Sequence, residues 1–286
     1  MRFSKKAELK KQTEGGEVYN IVANLVGCER TMRIISLSVD GIEQAASRGL
    51  FAWLEQQAAD VICLQDLRAS EDRLSDACFP EGYHAYFCDR ADGRRGVAIY
   101  TRQLPRAVMP GFGFNPEVDL DGTYLRADFE HFSVVSLFVP PAKQNPKSIE
   151  ARMRFLDCLQ DHFKKISNRR RRYILCCNWN MVHQKADVQQ WENYQTAPGF
   201  LPFEREWLNS LYNEFDYRDA LRMVSSDRDI FSWWPSGTVG DGDGWRVDAH
   251  VISPEFTSAV RTVHYCNNRV FSSHIPVFAD YDIELF

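Results

Sequence analysis

Polar side chains follow several apolar, strand-like segments of this chain, and in α/β folds chemistry is usually carried where strands end. The most informative segment is YILCCNWN, residues 173–180, which predicts a buried strand ending in Asn178 and Asn180. An asparagine amide cannot accept a proton, whereas a carboxylate at the same place could act as a general base. Whether the chain is an enzyme depends on Asn178 and on the other polar candidates at strand ends: Ser38, Asp40, Asp66, Asp248, Ser273 and His274.

These residues must be positioned by apolar strands that alternate with amphipathic helices. The opening strand MRIISLSV, from residue 32, is followed by a predicted helix over residues 42–58 and by the strand DVICLQ. Later segments predict helices over residues 147–166 and 202–211 and the strands YHAYFC, GVAIYT, YLRADF, FSVVSLFV, YILCCNWN, FSWW, RVDAHVIS, VRTVHYC and IPVFADYD. This pattern predicts an α/β fold of four layers, a sandwich of two packed mixed β-sheets flanked by helices.

The composition is that of a globular protein with no bulk basic character. The formal net charge is -5, so any contact with nucleic acid has to come from a local patch. The apolar run over residues 19–26 is too short to span a bilayer, and we expect no membrane partner. The eight cysteines show no zinc-like spacing, which indicates a reducing, cytoplasmic compartment.

The first 31 residues are expected to lie outside the fold. A strand signal begins abruptly at Met32, and no repeat, linker or change of composition follows it. We therefore assign residues 1–31 to a non-core N-terminal extension and residues 32–286 to one domain.

A local basic patch follows the long predicted helix. Arg169, Arg170, Arg171 and Arg172 are consecutive, and each guanidinium could bind a phosphate or an acidic partner. A cationic helix end is also favoured by the helix macrodipole and could simply be solvated. Both interpretations stay open from the sequence alone.

Eight short motifs, in this order, resemble those of the exonuclease III and apurinic endonuclease family of metal-dependent phosphodiesterases: SLSVDG, ICLQD, GVAIYTR, CCNWN, GFLPFEREWL, FSWW, WRVD and SSH. The resemblance covers residues 32–282 and implies an exonuclease III-like fold. It implies that Asp40 and Asp66 are candidate ligands of Mg²⁺. It also implies that Asp248 orients and charge-stabilises the imidazole of His274, and that Asn180 is an unchanged site residue.

The chain departs from that family pattern at several site positions. By resemblance, Asn178 replaces an aspartate that positions or deprotonates water, and Phe138 replaces a tyrosine whose hydroxyl approaches the phosphate. Ser38 replaces an asparagine, Ser273 replaces an acidic residue, and Asp66 is one carbon shorter than the family's glutamate. A positioned general base contributes about 10²–10⁴-fold, so these changes predict little hydrolysis. We expect no cofactor, with Mg²⁺ as the alternative.

Longer runs resemble the catabolite repression control proteins of certain bacteria: MRIIS, DVICLQDLRAS, VHQKADVQQW, PGFLPFEREWL, YRDALR, FSWWP and DYD. That group shares the exonuclease III fold but lacks nuclease activity. The resemblance implies a non-catalytic, post-transcriptional regulator of carbon catabolite repression. Its partners would be an Hfq-type RNA chaperone and A-rich mRNA, bound in a ternary complex that represses translation.

Other functions stay open. One is a Mg²⁺-dependent DNA repair enzyme of the exonuclease III or apurinic endonuclease type, with a weakened site that uses Asp40, Asp66, Asp248 and His274. Another is a phosphatase or phosphodiesterase acting on small substrates, which rests on fold analogy alone. The plainest alternative is that Asp248 and His274 form a structural hydrogen-bonded pair and that the other polar residues cap turns.

Overall fold

The computed structural model describes residues 31–167 and 171–283. The strands in these residues are β1 (Met32–Ser38), β2 (Val61–Gln65), β3 (His84–Asp89), β4 (Gly96–Thr101), β5 (Ala107–Pro110), β6 (Tyr124–Asp128), β7 (Phe132–Phe138), β8 (Arg172–Asn178), β9 (Arg218–Asp219), β10 (Asp248–Ile252), β11 (Val260–Tyr265) and β12 (Val277–Tyr281). The α-helices are α1 (Ile42–Ser47), α2 (Leu50–Glu55), α3 (Pro116–Asp119), α4 (Pro146–Ser167), α5 (Pro202–Asn213) and α6 (Ala220–Val224).

The strands form two mixed sheets of six strands each, with the orders β11-β12-β1-β2-β4-β3 and β5-β6-β7-β8-β10-β9. Each sheet contains one central parallel pair, β1 with β2 and β7 with β8, and its other neighbouring strands are antiparallel. We call the sheet that contains β1 and β2 the first sheet, and the sheet that contains β7 and β8 the second sheet. This architecture confirms the predicted sandwich of two packed mixed sheets flanked by helices.

Apolar side chains of alternating strand positions build the layers. Ile34 and Cys63 of the first sheet pack with Val134 and Ile174 of the second sheet in a core between the two. The opposite face of the first sheet packs against α1 and α2, and that of the second sheet against α4 and α5. Both parallel pairs are buried on their two faces, so their sequences are almost continuously apolar.

Two predicted elements are wrong. The predicted helix over residues 42–58 is broken into α1 and α2, because Gly49 adopts φ 84°, which is outside the helical region and costs glycine little. The segment FSWW does not form a regular strand, and its Trp233 makes isolated bridges with Trp245 and His274 instead. The short elements β5, β9, α3 and α6 were not predicted.

Residues 1–30 lie outside the described residues, so the N-terminal extension stays a prediction, although the first strand begins at Met32 as expected. Arg169 and Arg170 also lie outside them. Within the described ranges, no helix combines the length and the apolar character needed to cross a bilayer.

Candidate active site

The first sheet presents its site residues at the carboxyl ends of its parallel pair. The register places Ser38 at the end of β1 opposite Gln65 at the end of β2, and Asp40 lies two residues after Ser38 while Asp66 directly follows Gln65. The carboxyl ends of two adjacent parallel strands therefore bring the two predicted metal ligands together, as the sequence suggested.

The second sheet presents its residues in one register row. Phe138 of β7 lies opposite Asn178 of β8, which lies opposite Asp248 of β10. A hydrogen bond of 2.8 Å from Asn178 Nδ2 to Ser38 Oγ joins this row to the first sheet. The predicted candidates on both sheets therefore form one site.

Asp248 and His274 form the buried ion pair of this site. His274 Nδ1 donates to Asp248 Oδ2 at 2.7 Å, and the two side chains are only 5% and 4% exposed. Burial by itself would lower the pKa of His274, but the charges of Asp248, Asp40 and Asp66 and the bond to Asp248 outweigh it and raise that pKa above its ordinary value. The pair therefore favours an imidazolium whose Nδ1 is fixed, which leaves Nε2 to meet a ligand.

Arg68 joins the two predicted metal ligands. Its Nη2 donates to Asp66 Oδ2 at 2.5 Å and to Asp40 Oδ1 at 3.0 Å, and its Nη1 donates to the main-chain oxygen of Asp40 at 3.2 Å. Burial raises the pKa of Asp66 despite the opposing guanidinium. Burial also opposes ionisation of Asp40, yet His274, Ser273 and Arg68 together lower its pKa.

The segment 272–274 attaches the histidine to the end of β1. Ser273 donates to Asp40 Oδ2 through both its main-chain nitrogen, at 2.8 Å, and its hydroxyl. Ser272 Oγ donates to the main-chain oxygen of Ser38 at 2.6 Å and accepts from the main-chain nitrogen of His274. Ser273 thus supplies a donor to Asp40, where an acidic residue would have repelled it.

Asn178 and Asn180 are bound within the protein. Asn178 Nδ2 donates to Ser38, and Asn178 Oδ1 accepts from the main-chain nitrogen of Asn180 at 2.9 Å. Asn180 Nδ2 donates to the main-chain oxygen of Val139 at 2.8 Å. These bonds fix the orientation of the Asn178 amide, which is 1% exposed.

Phe138 lies in the apolar core between the sheets and is buried. Its ring carries no hydroxyl, so this position provides the site with no hydrogen bond to a phosphate. In this chain Phe138 contributes packing beneath the site.

The backbone is strained where the polar residues lie. Asp40, Asp66, Arg68 and Asn180 have φ values of 54°, 56°, 51° and 48°, in the left-handed region. Aspartate and asparagine tolerate this region better than most residues, but arginine is uncommon there. Such strain persists only when the surrounding structure determines it, and it concentrates at functional sites.

The residues present do not fit a divalent metal ion as they are arranged. Three of the four carboxylate oxygens of Asp40 and Asp66 accept hydrogen bonds from Arg68 or Ser273. Mg²⁺ needs near-octahedral oxygen coordination, and a guanidinium beside the same oxygens opposes a second cation. Within residues 31–167 and 171–283, no group of three acidic, histidine or cysteine side chains could hold a metal.

The described part of the predicted basic patch is engaged in structural contacts. Arg171 Nη2 donates to the main-chain oxygens of Phe129 and Phe132, at 2.5 and 2.9 Å. The guanidinium of Arg172 lies over the ring of Phe256. These contacts explain both residues without a ligand, and the prediction of a nucleic-acid contact for the four arginines stays untested.

Two arginines near the site were not among the predicted site residues. Arg68 lies two residues after Asp66, and this spacing next to a predicted metal ligand was the available signal. Arg152 of α4 pairs with Glu204 of α5 at 3.1 Å, with side chains 1% and 0% exposed, and lies 3.4 Å from the main-chain oxygen of Asn180. Burial lowers the pKa of Arg152 to about 10, against the effect of Glu204. This ion pair supports the loop that carries Asn180.

The four-layer α/β sandwich is also the fold of solved nuclease structures, and a family model identifies the group to which the chain belongs. Residues 37–273 match the Endonuclease/Exonuclease/phosphatase family, and the chain belongs to it.

Similar proteins are named as DNA nucleases. The exodeoxyribonuclease of Bacillus subtilis is 27% identical over 251 residues, which cover 86% of this chain and 98% of that protein. The DNA repair nuclease APEX1 of Danio rerio is 26% identical over 258 residues, covering 88% and 82%. An AP endonuclease structure from Archaeoglobus fulgidus matches with a TM-score of 0.80 at 22% identity, covering 88% of this chain and all of that one, and it shows the same fold.

These comparisons correct the predicted function. The expectation of a non-catalytic regulator of translation is wrong, because the relatives are named as exonucleases and apurinic endonucleases. The resemblance to exonuclease III is confirmed, whereas nothing found supports the catabolite repression control proteins in particular. The Hfq-type chaperone and the A-rich mRNA were expected as parts of that function, and no comparison tests them.

Proposed function

We propose that this protein acts on phosphodiesters of DNA, as an enzyme of the exonuclease III or apurinic endonuclease type with a weakened hydrolytic site. The observation that carries the proposal is the buried pair of Asp248 and His274 beside the cluster of Asp40, Asp66 and Arg68. The names of the relatives support DNA as the substrate class.

The imidazolium of His274 is the group that we expect to bind a phosphate oxygen. Asp248 holds Nδ1 and favours the charged form, so Nε2–H can donate to the developing negative charge of the phosphate. Because Asp248 is almost fully buried, the pair keeps its geometry when a ligand arrives. His274 therefore has the role of an electrostatic stabiliser.

The weakness of the site comes from position 178. The amide of Asn178 cannot take the proton of an attacking water, and both of its polar atoms are already bonded within the protein. A positioned general base contributes about 10²–10⁴-fold, so we expect hydrolysis to be slower by that factor than with a carboxylate here. A carboxylate would still be accommodated, because it can accept from the hydroxyl of Ser38 and from the main-chain nitrogen of Asn180.

The test measures cleavage of a labelled duplex that contains one abasic site, and release of nucleotides from a recessed 3′ end. We expect slow cleavage by the wild type, faster cleavage by Asn178→Asp and loss of cleavage in His274→Asn. His131→Asn, at an exposed histidine of the β6–β7 turn, is the matched control and should cleave like the wild type.

Assays are run both in Mg²⁺ and in EDTA, at enzyme concentrations well above that of the DNA. The proposal is overturned if neither the wild type nor folded Asn178→Asp cleaves either DNA. It is equally overturned if cleavage persists unchanged in His274→Asn, because the activity would then belong to a contaminant or to another site.

The cytoplasm remains our proposal for the compartment. The cysteines in the described part of the chain, Cys63, Cys78, Cys88, Cys158, Cys176, Cys177 and Cys266, are free thiols. Their reduced state is compatible with a reducing compartment.

A further inference from the structure

Arg68 occupies the position in this site where a cation is needed. One nitrogen, Nη2, contacts a carboxylate oxygen from each of two loops that follow adjacent parallel strands. A divalent ion bound by both Asp40 and Asp66 would likewise have to contact a carboxylate oxygen from each of these two loops. The guanidinium therefore satisfies the two carboxylates in the way that an ion would.

The loop that carries Arg68 is built to hold it there. Leu67, between Asp66 and Arg68, is buried and donates its main-chain N–H to the main-chain oxygen of Gly96 at 3.1 Å. Its own main-chain oxygen accepts from Ile42 at 2.8 Å. Both Asp66 and Arg68 keep left-handed backbone angles on either side of this anchor. The two main-chain hydrogen bonds of Leu67 and the left-handed angles of Asp66 and Arg68 together direct the guanidinium toward the carboxylates.

The guanidinium is the outermost charge of the cluster. The Arg68 side chain is 52% exposed, against 22% for Asp40 and 10% for Asp66. Its three hydrogen bonds use three of the five N–H donors of a guanidinium, so two donors remain on the exposed group. A phosphate that approaches from solvent meets Arg68 before it meets either carboxylate.

We propose that Arg68 is the resident cation of this site, that it takes the place of a divalent metal between Asp40 and Asp66, and that it binds the phosphate of the DNA. The inference rests on the proposed function only for the source of that phosphate. It predicts that wild-type protein has no saturable site for a divalent ion and that Mg²⁺ does not strengthen its binding to DNA over that measured in EDTA.

The first experiment measures ion binding without DNA, by titration of Mn²⁺ followed by electron paramagnetic resonance. We expect no saturable binding by the wild type and one new, weak site in Arg68→Met and in Arg68→Gln. That new site should vanish when Asp66→Asn is added. Arg154→Met, at an exposed arginine of α4 that pairs with Glu150, is the matched control and should behave like the wild type.

The second experiment measures binding of the abasic duplex in EDTA. Arg68→Met should bind roughly tenfold more weakly, the scale of one lost charge-assisted contact. The salt dependence of binding should fall by about one phosphate contact. Arg154→Met should change neither quantity.

The outcomes separate this inference from the proposed function. One saturable Mn²⁺ site in the wild type, removed by Asp66→Asn, overturns it, and so does the absence of a new site in both folded Arg68 variants. Unchanged DNA affinity in Arg68→Met overturns the phosphate role. Because the ion measurement contains no DNA and no cleavage, it decides the question of the cation even if the protein cleaves nothing.

Discussion

In one half of the site the outermost charge faces solvent, and in the other half the charges are buried. The half that we call exposed consists of Arg68, which is 52% exposed, and the two carboxylates beneath it, Asp40 and Asp66, which are 22% and 10% exposed. The buried half consists of Asn178, Asp248 and His274, each below 5% exposed as a whole residue. In water-facing clusters a charge can be exchanged at little cost, whereas a buried charge that loses its partner is expensive. A different cation can therefore be accommodated in the exposed half. In the buried half, the bond between Asp248 and His274 is costly to change.

The largest effect is expected beneath the buried half, at the ion pair of Arg152 and Glu204. Arg152→Met leaves the Glu204 charge without its partner, and we expect the free energy of unfolding to fall by about 3–5 kcal/mol. Urea unfolding at pH 7 measures this, with Arg154→Met as the exposed control, which should lose no more than about 0.5 kcal/mol. Similar losses in both variants would break the contrast between buried and exposed charges.

The next effect concerns acid stability and a buried histidine that bonds to no carboxylate in the described part of the chain. His250 bonds to Ser36 and Tyr281, and burial lowers its pKa to about 3. In the unfolded chain this imidazole takes up a proton near pH 6.5, whereas in the folded protein it stays neutral. The free energy of unfolding therefore falls as the pH drops below about 6.5. We expect this group to remove roughly 2–3 kcal/mol by pH 4.5.

The comparison with His250→Gln isolates that contribution, since the amide keeps polar atoms but does not titrate in this range. The difference between wild type and variant, from urea unfolding at pH 7 and pH 4.5, should shift in favour of the variant at the lower pH. A difference independent of pH would show that His250 is protonated inside the folded protein.

His274 should behave in the opposite way, because Asp248 lies beside it. Its pKa is raised, so its stabilisation is fully present below the unfolded value of about 6.5 and is lost as the pH rises through the folded value. Asp248→Asn should cost about 1.5–3 kcal/mol at pH 6 and less at pH 9. An NMR titration of the imidazole should show its pKa falling in the variant, and equal costs at both pH values would contradict this account.

The smallest effect is expected in the exposed half. Arg68→Met removes an ion pair whose guanidinium is half-exposed and whose partner Asp66 is largely buried. Because burial already raises the pKa of Asp66, this carboxyl can take up a proton when its partner is lost, and we expect the free energy of unfolding to fall by no more than about 1 kcal/mol. Denaturation by urea in low and high salt measures the change, which should shrink in high salt. A loss as large as that of Arg152→Met would show that Arg68 is part of the structural core.

Much of the fold could be predicted from the sequence because the strands consist of runs of β-branched and other apolar residues. The break between α1 and α2 was missed, since a single Gly49 inside a helical pattern is often tolerated and only its backbone angle reveals the turn. The prediction of a strand at FSWW was wrong. Aromatic residues favour an extended backbone, but a regular strand also needs a neighbouring strand to pair with, and here Trp233 only forms isolated bridges with Trp245 and His274.

The contact between Asp248 and His274, which lie 26 residues apart, was predicted through the family resemblance, since residue types alone favoured a structural hydrogen-bonded pair. The partners of Arg68 and Arg152 were not predicted. Arg68 reaches its carboxylates through a left-handed backbone angle, and Arg152 meets Glu204 only because α4 and α5 pack side by side. The periodicity of apolar residues predicts neither a left-handed backbone angle nor which residue of one helix will pair with a residue of another.

The bond between Ser38 and Asn178 has a consequence for how such a site can change over time. Here the amide at 178 donates and the hydroxyl at 38 accepts, across the two sheets. A pair with an amide at 38 and a carboxylate at 178, which the resemblance implies for the nucleases, would run the same bond in the opposite direction. With an amide at both positions, the amide at 38 would have to turn its oxygen toward the nitrogen of Asn178, whereas the hydroxyl of serine can donate or accept by rotation alone. Positions 38 and 178 should therefore vary together among relatives. Serine at 38 should occur with either an amide or a carboxylate at 178.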